Sequence, residues 1–466
     1  MTNFETMTYN KPGTIKTPII LLAILLANIF MPSCKTYLDV KPDKKLVQPS
    51  SLQDAQALLD NYFLNSTYSM LGPEGDDDYY LLDVDFNRMP APVQQRYTWQ
   101  EGAIVNDYDW SNFYSNVLFA NMALETVQQV SMNSENKNSW QQLKGAALFF
   151  RAYNLYWAAM YFTVPYDEAI AATMPGIPLR LTSDVNEQLS RGTLAQTYDR
   201  IIGDIAQSIP LLPNAIDPVS RPSKAAAYGF MARVYMSMRN YTKAGMYADS
   251  CLTLKSDLLN YNNVDTTTKT PFKNFNKEVI FHSEGYASRA TYSPTAKTDT
   301  VLYAQYEAGD LRRPIFFAAN SNGTHSFKGS YAGSNYYDVP FNGIATDEML
   351  LVRAECFARN NDLTKALADL NTLLITRYVS GTYIPKNSSS QQAVLQMILT
   401  ERRKELVGRG LRWADLRRLN VEPSFQKTLV RKENGQIYQL SPGDKRYTFF
   451  IPSAVIGQNG WPQNER

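Results

Sequence analysis

The sequence contains few of the residues from which hydrolytic and metal centres are built. Its 466 residues include only two histidines, His282 and His325, and both lie in a stretch with the composition of loops. A histidine-based zinc site or a Ser-His-Asp triad is therefore poorly supplied with ligands and bases. No nucleophile elbow is present either. These shortages argue against a hydrolase.

Cysteine and net charge are equally scarce. Three cysteines cannot form a framework of disulfides, and Cys251 and Cys356 lie in helical patterns that predict small buried side chains. Lysine and arginine number 46 against 44 aspartates and glutamates. The basic stripe that nucleic-acid binding usually requires is not visible. We therefore expect no nucleic-acid partner.

The third cysteine, Cys34, follows an apolar run at residues 17–31, TPIILLAILLANIFM, which Lys11 and Lys16 precede. This is the layout of a secretory signal, and the run is shorter than the ~20 residues of a membrane-spanning helix. Ser33 before Cys34 makes the segment resemble a bacterial lipoprotein signal, although Met31 stands where leucine is usual. We expect a signal peptide at 1–33 and a lipid tether on Cys34. An ordinary cleaved signal with an incidental cysteine stays open.

An internal repeat indicates the fold. Residues 225–254 align with residues 347–376, with small residues where two antiparallel helices approach and large ones a turn away. This pattern is typical of the tetratricopeptide-type helical hairpin. A third copy starts near Ala152, and its second helix begins after Thr193, a good helix cap. The aligned pairs are Ala232 with Ala354, Tyr235 with Phe357 and Ala244 with Ala366.

The predicted fold is mainly α, a tetratricopeptide-type helical repeat scaffold with a large loop-rich ligand-binding insertion. Residues 255–343, rich in Asn, Thr, Ser, Gly and Tyr, predict an ordered, loop-rich subdomain. Loops on a rigid scaffold are where binding residues concentrate. We expect helical hairpins at about 137–209, 222–254 and 345–377, and a C-terminal helical region at 390–420.

Several segments in this order resemble one family. They are YLDVKP after Cys34, GAALFFRAYNLYWAAMYFTVPY, RPSKAAAYGFMARVYM, YEAGDLRRPIFF and, at 401–419, ERRKEL…RWADLRRL. Together they resemble the SusD/RagB family of outer-membrane nutrient-binding lipoproteins, over about residues 34 to 456. The end of the chain departs from the family because it lacks the usual Asn-Pro-rich ending.

The resemblance implies one SusD-like domain over 34–466, on the outer membrane at the cell surface. It implies a binding protein and not an enzyme, without a cofactor. Such proteins capture oligosaccharides or polysaccharides and act as a lid on a SusC-like TonB-dependent transporter. The same architecture with a peptide or another nutrient as ligand is the alternative. A lipid-anchored hydrolase or a pure tetratricopeptide interaction module fits the sequence less well.

Two charged motifs need separate interpretations. In 401–419, opposite charges around Trp413 predict a late helix that docks on the helical body rather than a site. The acidic turn GDDDYY offers Asp76, Asp77 and Asp78. It fits a solvated loop, contacts from Asp77 and Asp78 to ligand hydroxyls, or a calcium site that includes Asp76 and Asp78. Catalysis fits it least, because clustering in a loop does not supply the two carboxylates at a defined separation that a glycosidase needs.

Aromatic residues are abundant, with 30 Tyr, 21 Phe and 6 Trp. Most of them fill a core, but an exposed ring can stack on the C–H face of a sugar while polar groups bind the rim hydroxyls. The acidic turn is flanked by such rings, and we expect Trp99 to stack with a neighbouring tyrosine. The candidate ligand residues are Asp77, Asp78, Tyr79, Tyr80, Arg96, Trp99, Asn106 and Tyr108, with the loop tyrosines Tyr286, Tyr292, Tyr331 and Tyr336 opposite.

The first testable prediction concerns the tether. Cys34→Ala should move the protein out of the membrane fraction, because more than one acyl chain is needed for stable anchoring. Cell fractionation and labelling with palmitate measure this. A wild-type chain without label, together with a mutant that stays on the membrane, would contradict the lipoprotein assignment.

Overall fold

A computed structural model describes residues 49–66, 69–286, 288–333 and 339–466. The expected signal peptide at 1–33, the tether Cys34 and the candidate Tyr336 lie outside these residues. In the part of the chain that is described, no helix is both long and apolar enough to cross a membrane.

Helices dominate the described chain. They are α1 (Leu52–Leu59), α2 (Phe63–Ser66), α3 (Leu71–Gly75), α4 (Asp83–Phe86), α5 (Ala91–Tyr97), α6 (Asp107–Gln129), α7 (Lys137–Phe162), α8 (Leu194–Ser208) and α9 (Lys224–Ser237). They continue with α10 (Tyr241–Leu254), α11 (Thr300–Ala304), α12 (Arg312–Phe316), α13 (Thr346–Arg359), α14 (Leu363–Leu374), α15 (Gln391–Glu405), α16 (Arg412–Leu419) and α17 (Ser453–Asn459).

The repeat hairpins form the scaffold. Helix α7 packs on α6 and α8, α9 packs on α10, and α13 packs on α10, α14 and α15. The small residues Ala152, Ala232 and Ala354 are fully buried, which lets neighbouring helices approach closely. The prediction of a mainly α fold on tetratricopeptide-type hairpins is therefore confirmed.

The turns of the two clear repeats are alike in detail. Arg239 and Asn361 both have φ of 60°, the left-handed conformation that ends the first helix. The next residue then caps the second helix, since Asn240 accepts a hydrogen bond from the Lys243 amide and Asp362 from the Lys365 amide. Thr193 caps α8 as predicted, in a reciprocal capping box with Gln196.

The loop-rich subdomain between α10 and α13 has its own aromatic core. Tyr261, Phe272, Phe316, Tyr331 and Phe341 pack together there. Its strands are short, and each pairs with a single neighbour. The strands of the described chain are β1 (Tyr79–Tyr80), β2 (Pro175–Pro178), β3 (Arg191–Thr193), β4 (Val279–Phe281), β5 (Lys297–Thr298), β6 (Phe317–Ala319), β7 (His325–Phe327), β8 (Ile344–Ala345), β9 (Leu429–Glu433) and β10 (Gln436–Leu440).

The segment 401–419 docks as its charge pattern predicts. Trp413 is buried, and Arg402 and Arg418 both bind Asp415 at 2.8 Å. Arg418 also reaches Glu355 of the repeat scaffold at 2.6 Å. Opposite charges therefore fix the late helices on the helical body.

Two stretches differ from their predicted structure. Apolar residues at helical spacing over 51–64 predict one helix, but α1 ends at Leu59 and a turn over 60–62 separates it from α2. Phe63 is therefore exposed instead of lying on the apolar face of a longer helix. Residues 72–109 have the composition of loops, but the structure forms the short helices α4 and α5 there.

The repeat register makes a prediction for stability. Ala232→Leu or Ala354→Leu should overpack a helix contact and lower the free energy of unfolding by about 1–3 kcal/mol. Thermal and denaturant unfolding measure the loss, with the exposed Ala172→Leu as the matched control. Unfolding curves that coincide with the wild type for both buried variants would contradict this register.

Candidate functional site

The acidic turn after α3 is held by cations from the C-terminal part of the chain. Arg412 binds both oxygens of Asp77, at 2.6 and 3.1 Å, and Lys427 binds one of them at 2.6 Å. Burial alone would raise the pKa of Asp77, but Arg412 and Arg403 outweigh it and hold the pKa well below its usual range. We correct the expectation that Asp77 faces a ligand, because its oxygens are committed to internal ion pairs.

Asp76 and Asp78 are buried beside this ion pair. Asp76 accepts a hydrogen bond from the Asp78 amide at 3.0 Å, and Asp78 pairs with Arg403 at 3.1 Å. Burial and the neighbouring Asp78 carboxylate raise the pKa of Asp76 well above its usual range. The expected solvated loop is thus an internal turn. The described ranges bring together no group of three acidic, histidine or cysteine side chains that could hold a calcium ion.

Trp99 is a core residue. Its ring is 1% exposed, and its indole nitrogen donates to the Gly75 carbonyl at 2.9 Å. The guanidinium of Arg431 lies 5.0 Å from the ring centroid. Trp99 has a φ of 53°, so its position depends on this packing. The expectation of an exposed stacking ring at Trp99 is therefore wrong.

Arg96 is also internal. Its guanidinium forms a two-point ion pair with Glu74, with one contact at 3.2 Å, and donates to the Ile104 carbonyl at 2.9 Å. A second candidate from the opposite side, Tyr331, is fully buried and donates to Glu278 at 2.7 Å. Both side chains stabilise loops and offer no polar group to a ligand.

The tyrosines of the acidic turn connect the two predicted sides of the site. Tyr79 and Tyr80 form β1, which pairs antiparallel with Lys297 and Thr298 of β5. Both rings are half-buried, and the Tyr79 hydroxyl donates to the Glu74 carbonyl at 2.9 Å. The structure thus places the turn at 76–80 against the loop-rich subdomain.

A narrow cavity of about 90 Å³ lies at this junction. Asp76, Asp78 and Tyr79 line one wall, and Thr291 and Ser293 line another. Its size suits a few water molecules. The cavity unites the two predicted groups of residues.

Four candidates remain on the surface. Asn106 is exposed before α6, and Tyr108 in its first turn is 76% exposed. Tyr286 and Tyr292 are 49% and 37% exposed. These side chains are placed where a ligand can reach them.

A second depression, of about 300 Å³, was not predicted. Its lining includes Tyr62, Phe275, His282 and Glu284. Tyr62 is 66% exposed and donates to Glu284 at 2.6 Å, while the Glu284 amide donates to the Asn65 carbonyl at 2.7 Å. These bonds fix the end of α2 against the loop-rich subdomain.

A sequence signal for Tyr62 existed in the stretch LDNYFLN, residues 59–65. Asp and Asn favour helix ends, so a turn at 60–61 would have placed Tyr62 outside the helix. His282 and Glu284 follow strand β4 without a local pattern, and only the fold brings them to Tyr62.

A larger depression, of about 830 Å³, is a groove along the repeat helices. Tyr235, Arg239, Tyr241, Arg353 and Phe357 contribute to its lining. It belongs to the scaffold rather than to the loops. The described chain therefore offers two different surfaces, one of repeat helices and one of loop tyrosines.

Family models match most of the chain. A model described as starch-binding associating with outer membrane matches residues 36–236, and a SusD family model matches residues 328–454. The chain belongs to the SusD/RagB family.

Individual relatives agree with this assignment. A SusD-like protein P2 of Formosa agariphila is 24% identical over 374 residues, 67% of this chain and 71% of that protein. A putative sugar binding protein from Bacteroides vulgatus has a TM-score of 0.74 at 20% identity, covering 90% of this chain and 99% of its own. The surface glycan-binding protein A from Bacteroides fluxus has a TM-score of 0.67 at 17% identity, covering 89% and 99%. The structural likenesses establish the SusD-like fold.

The opposite environments of Asp76 and Asp77 make a prediction. Asp77→Asn should cost roughly 3 kcal/mol, because it leaves Arg412 and Lys427 without their carboxylate. Asp76→Asn should cost much less, because burial and the Asp78 carboxylate disfavour the charge that this substitution removes. Denaturant unfolding of both variants measures the contrast.

The pH dependence has a defined sign. The pKa of Asp77 is lower in the folded state, so its ion pairs stabilise the fold above the unfolded pKa of about 3.9 and are lost as pH falls further. The cost of Asp77→Asn should therefore shrink in acid. Equal costs for the two variants at pH 7 would contradict the assignment.

Proposed function

We propose that this protein binds glycans at the cell surface through its loop tyrosines. Family membership and two structural relatives, a surface glycan-binding protein and a putative sugar binding protein, support the ligand class. The observation that carries the proposal is the pair of exposed rings, Tyr62 and Phe275, that line a depression with hydrogen-bonding side chains. The loop tyrosines Tyr286 and Tyr292 are exposed as well.

The chemistry of these rings suits a sugar. A pyranose presents C–H groups on one face, and an aromatic plane stacks against them at low entropic cost. The polar groups beside Tyr62, among them Glu284 and Asn65, can bind hydroxyls at the edge of the ring. Tyr108 and Asn106 extend the reachable surface.

We further propose that the protein is lipid-anchored at Cys34 and delivers its ligand to a SusC-like TonB-dependent transporter, on which it acts as a lid. In this proposal the transporter contacts the groove along the repeat helices, because the groove lies on the scaffold and leaves the loop tyrosines accessible to the ligand. Copurification of the native protein from outer membranes with a TonB-dependent barrel tests it. Charge reversal at Arg353, which lines the groove, should weaken the complex.

The glycan proposal makes a prediction for Tyr286. With a glycan identified on an array, Tyr286→Ala should weaken binding roughly threefold to tenfold, the loss expected for one stacked ring. The melting temperature should stay within about 1–2 °C of the wild type, because surface substitutions usually cost little. Calorimetry on the full-length chain in detergent measures the affinity.

Ile384→Ala is the matched control, since it removes an apolar side chain that is 81% exposed and lines neither loop depression. If Tyr286→Ala and Tyr292→Ala both bind like the wild type, the ligand surface lies elsewhere. If the wild type binds no glycan on the array and binds a peptide instead, the ligand class is wrong.

A further inference from the structure

Glu284, a partly buried carboxylate, differs in its partners from most of the buried carboxylates of this protein. Most of the others pair with arginine, as Glu348 does with Arg233 and Asp347 with Arg409, both at 2.6 Å. Across the described ranges, no lysine or arginine nitrogen lies within 4.0 Å of a Glu284 oxygen, and its one charge-capable neighbour is His282 at 3.4 Å. Glu284 carries a carboxylate without a cationic side chain to neutralise it.

The neighbours of Glu284 nevertheless favour its ionised form. Burial raises the pKa of this carboxyl, but hydrogen bonds from His282 and Tyr62 outweigh it and lower the pKa below its usual range. The side chain is 15% exposed and lines the 300 Å³ depression. A negative charge therefore stands at the wall of an open depression.

Two aromatic rings line the same depression. Tyr62 and Phe275 are 66% and 42% exposed, and their faces attract cations. The other charged pair at the rim is already neutral, because Arg221 binds both oxygens of Asp60 at 2.8 and 2.7 Å. The Glu284 carboxylate therefore supplies the charge of the depression that no lysine or arginine of the described chain offsets, and the two aromatic rings line the same depression.

His282 gives an additional observation. Its Nε2 faces Glu284, and its Nδ1 is buried without a hydrogen-bond partner in the described part of the chain. His282 thus lines the depression, while its unpaired Nδ1 lies behind the wall. Buried polar atoms of this kind are uncommon and often mark a site.

We propose that this depression binds an amine-bearing sugar residue, with its ammonium group on Glu284 between Tyr62 and Phe275. The inference rests on the proposed function only in taking the ligand to be a glycan. A carboxylate and aromatic faces prefer an ammonium to a hydroxyl or an acetamide, since neither of those carries charge.

Three oligosaccharides with one backbone test the proposal. The β-1,4-linked tetramers of glucosamine, N-acetylglucosamine and glucose differ at the second carbon, which carries an ammonium, an acetamide or a hydroxyl. Calorimetry on the full-length chain at pH 6 and low salt should show the glucosamine tetramer binding at least tenfold more tightly. High salt should reduce the difference, because it screens partly exposed charges.

Glu284→Gln separates this site from others. Glutamine keeps an acceptor for Tyr62 and removes the charge, so the preference should fall to less than threefold while the melting temperature holds. Glu168→Gln, an exposed carboxylate in the repeat groove, is the control and should keep the preference. Tyr62→Phe, which retains the ring, should also keep it.

The outcomes are distinct. A preference that survives Glu284→Gln, or equal affinities for the three tetramers, overturns the amine site and leaves glycan binding standing. If other glycans on the array bind and none of the three tetramers does, the amine site is overturned as well. If no glycan on the array and none of the tetramers binds, the proposed function and this inference are both overturned.

Discussion

Buried pairs of arginine with carboxylates hold the separate parts of this fold together. Arg312 of the loop-rich subdomain contacts Glu401 at 2.6 Å and Glu405 at 3.0 Å on α15. Arg377, after α14, binds Glu405 at 2.7 Å and Glu278 at 2.9 Å. One helix therefore joins the loop subdomain to the repeat scaffold through buried charges.

Such pairs determine geometry more than they add stability. Desolvation of two ions offsets most of their attraction, whereas the loss of one partner leaves a buried charge that costs roughly 3–5 kcal/mol. An arrangement that leaves one of these ions unpaired is therefore strongly disfavoured. The acidic turn follows the same rule, because Asp77 has a single environment, between Arg412 and Lys427, in which its charge is matched.

The sequence predicts the scaffold well because its signals are local. Helical periodicity, the cap at Thr193 and the buried Ala232 and Ala354 depend on residues a turn or two apart. The docking of Trp413 could also be predicted, since its charged neighbours lie within one short segment. These features need no knowledge of distant parts of the chain.

The site is harder to predict because its determinants are distant in sequence. Asp77 and Trp99 lie in stretches with the composition of a ligand-binding loop. Their distant partners, such as Arg412 and Arg431, show that both side chains are internal. Conversely, Tyr62 belongs to the site because it meets Glu284, which no periodicity indicates. Exposed and buried tyrosines, such as Tyr286 and Tyr331, have similar sequence surroundings and differ only in what packs over them.

The ion pairs that hold Asp77 also affect the order in which parts of the chain fold. Synthesis proceeds from the N-terminus, so the acidic turn emerges long before Arg403, Arg412 and Lys427 exist. Until then the carboxylates of the turn stay hydrated, and the loops that pack on the turn in the folded protein have no ordered surface to pack against. Contacts of such high sequence separation close a long loop and form late. The helical hairpins can fold as they emerge, while the surface with the loop tyrosines is completed only after the last helices arrive.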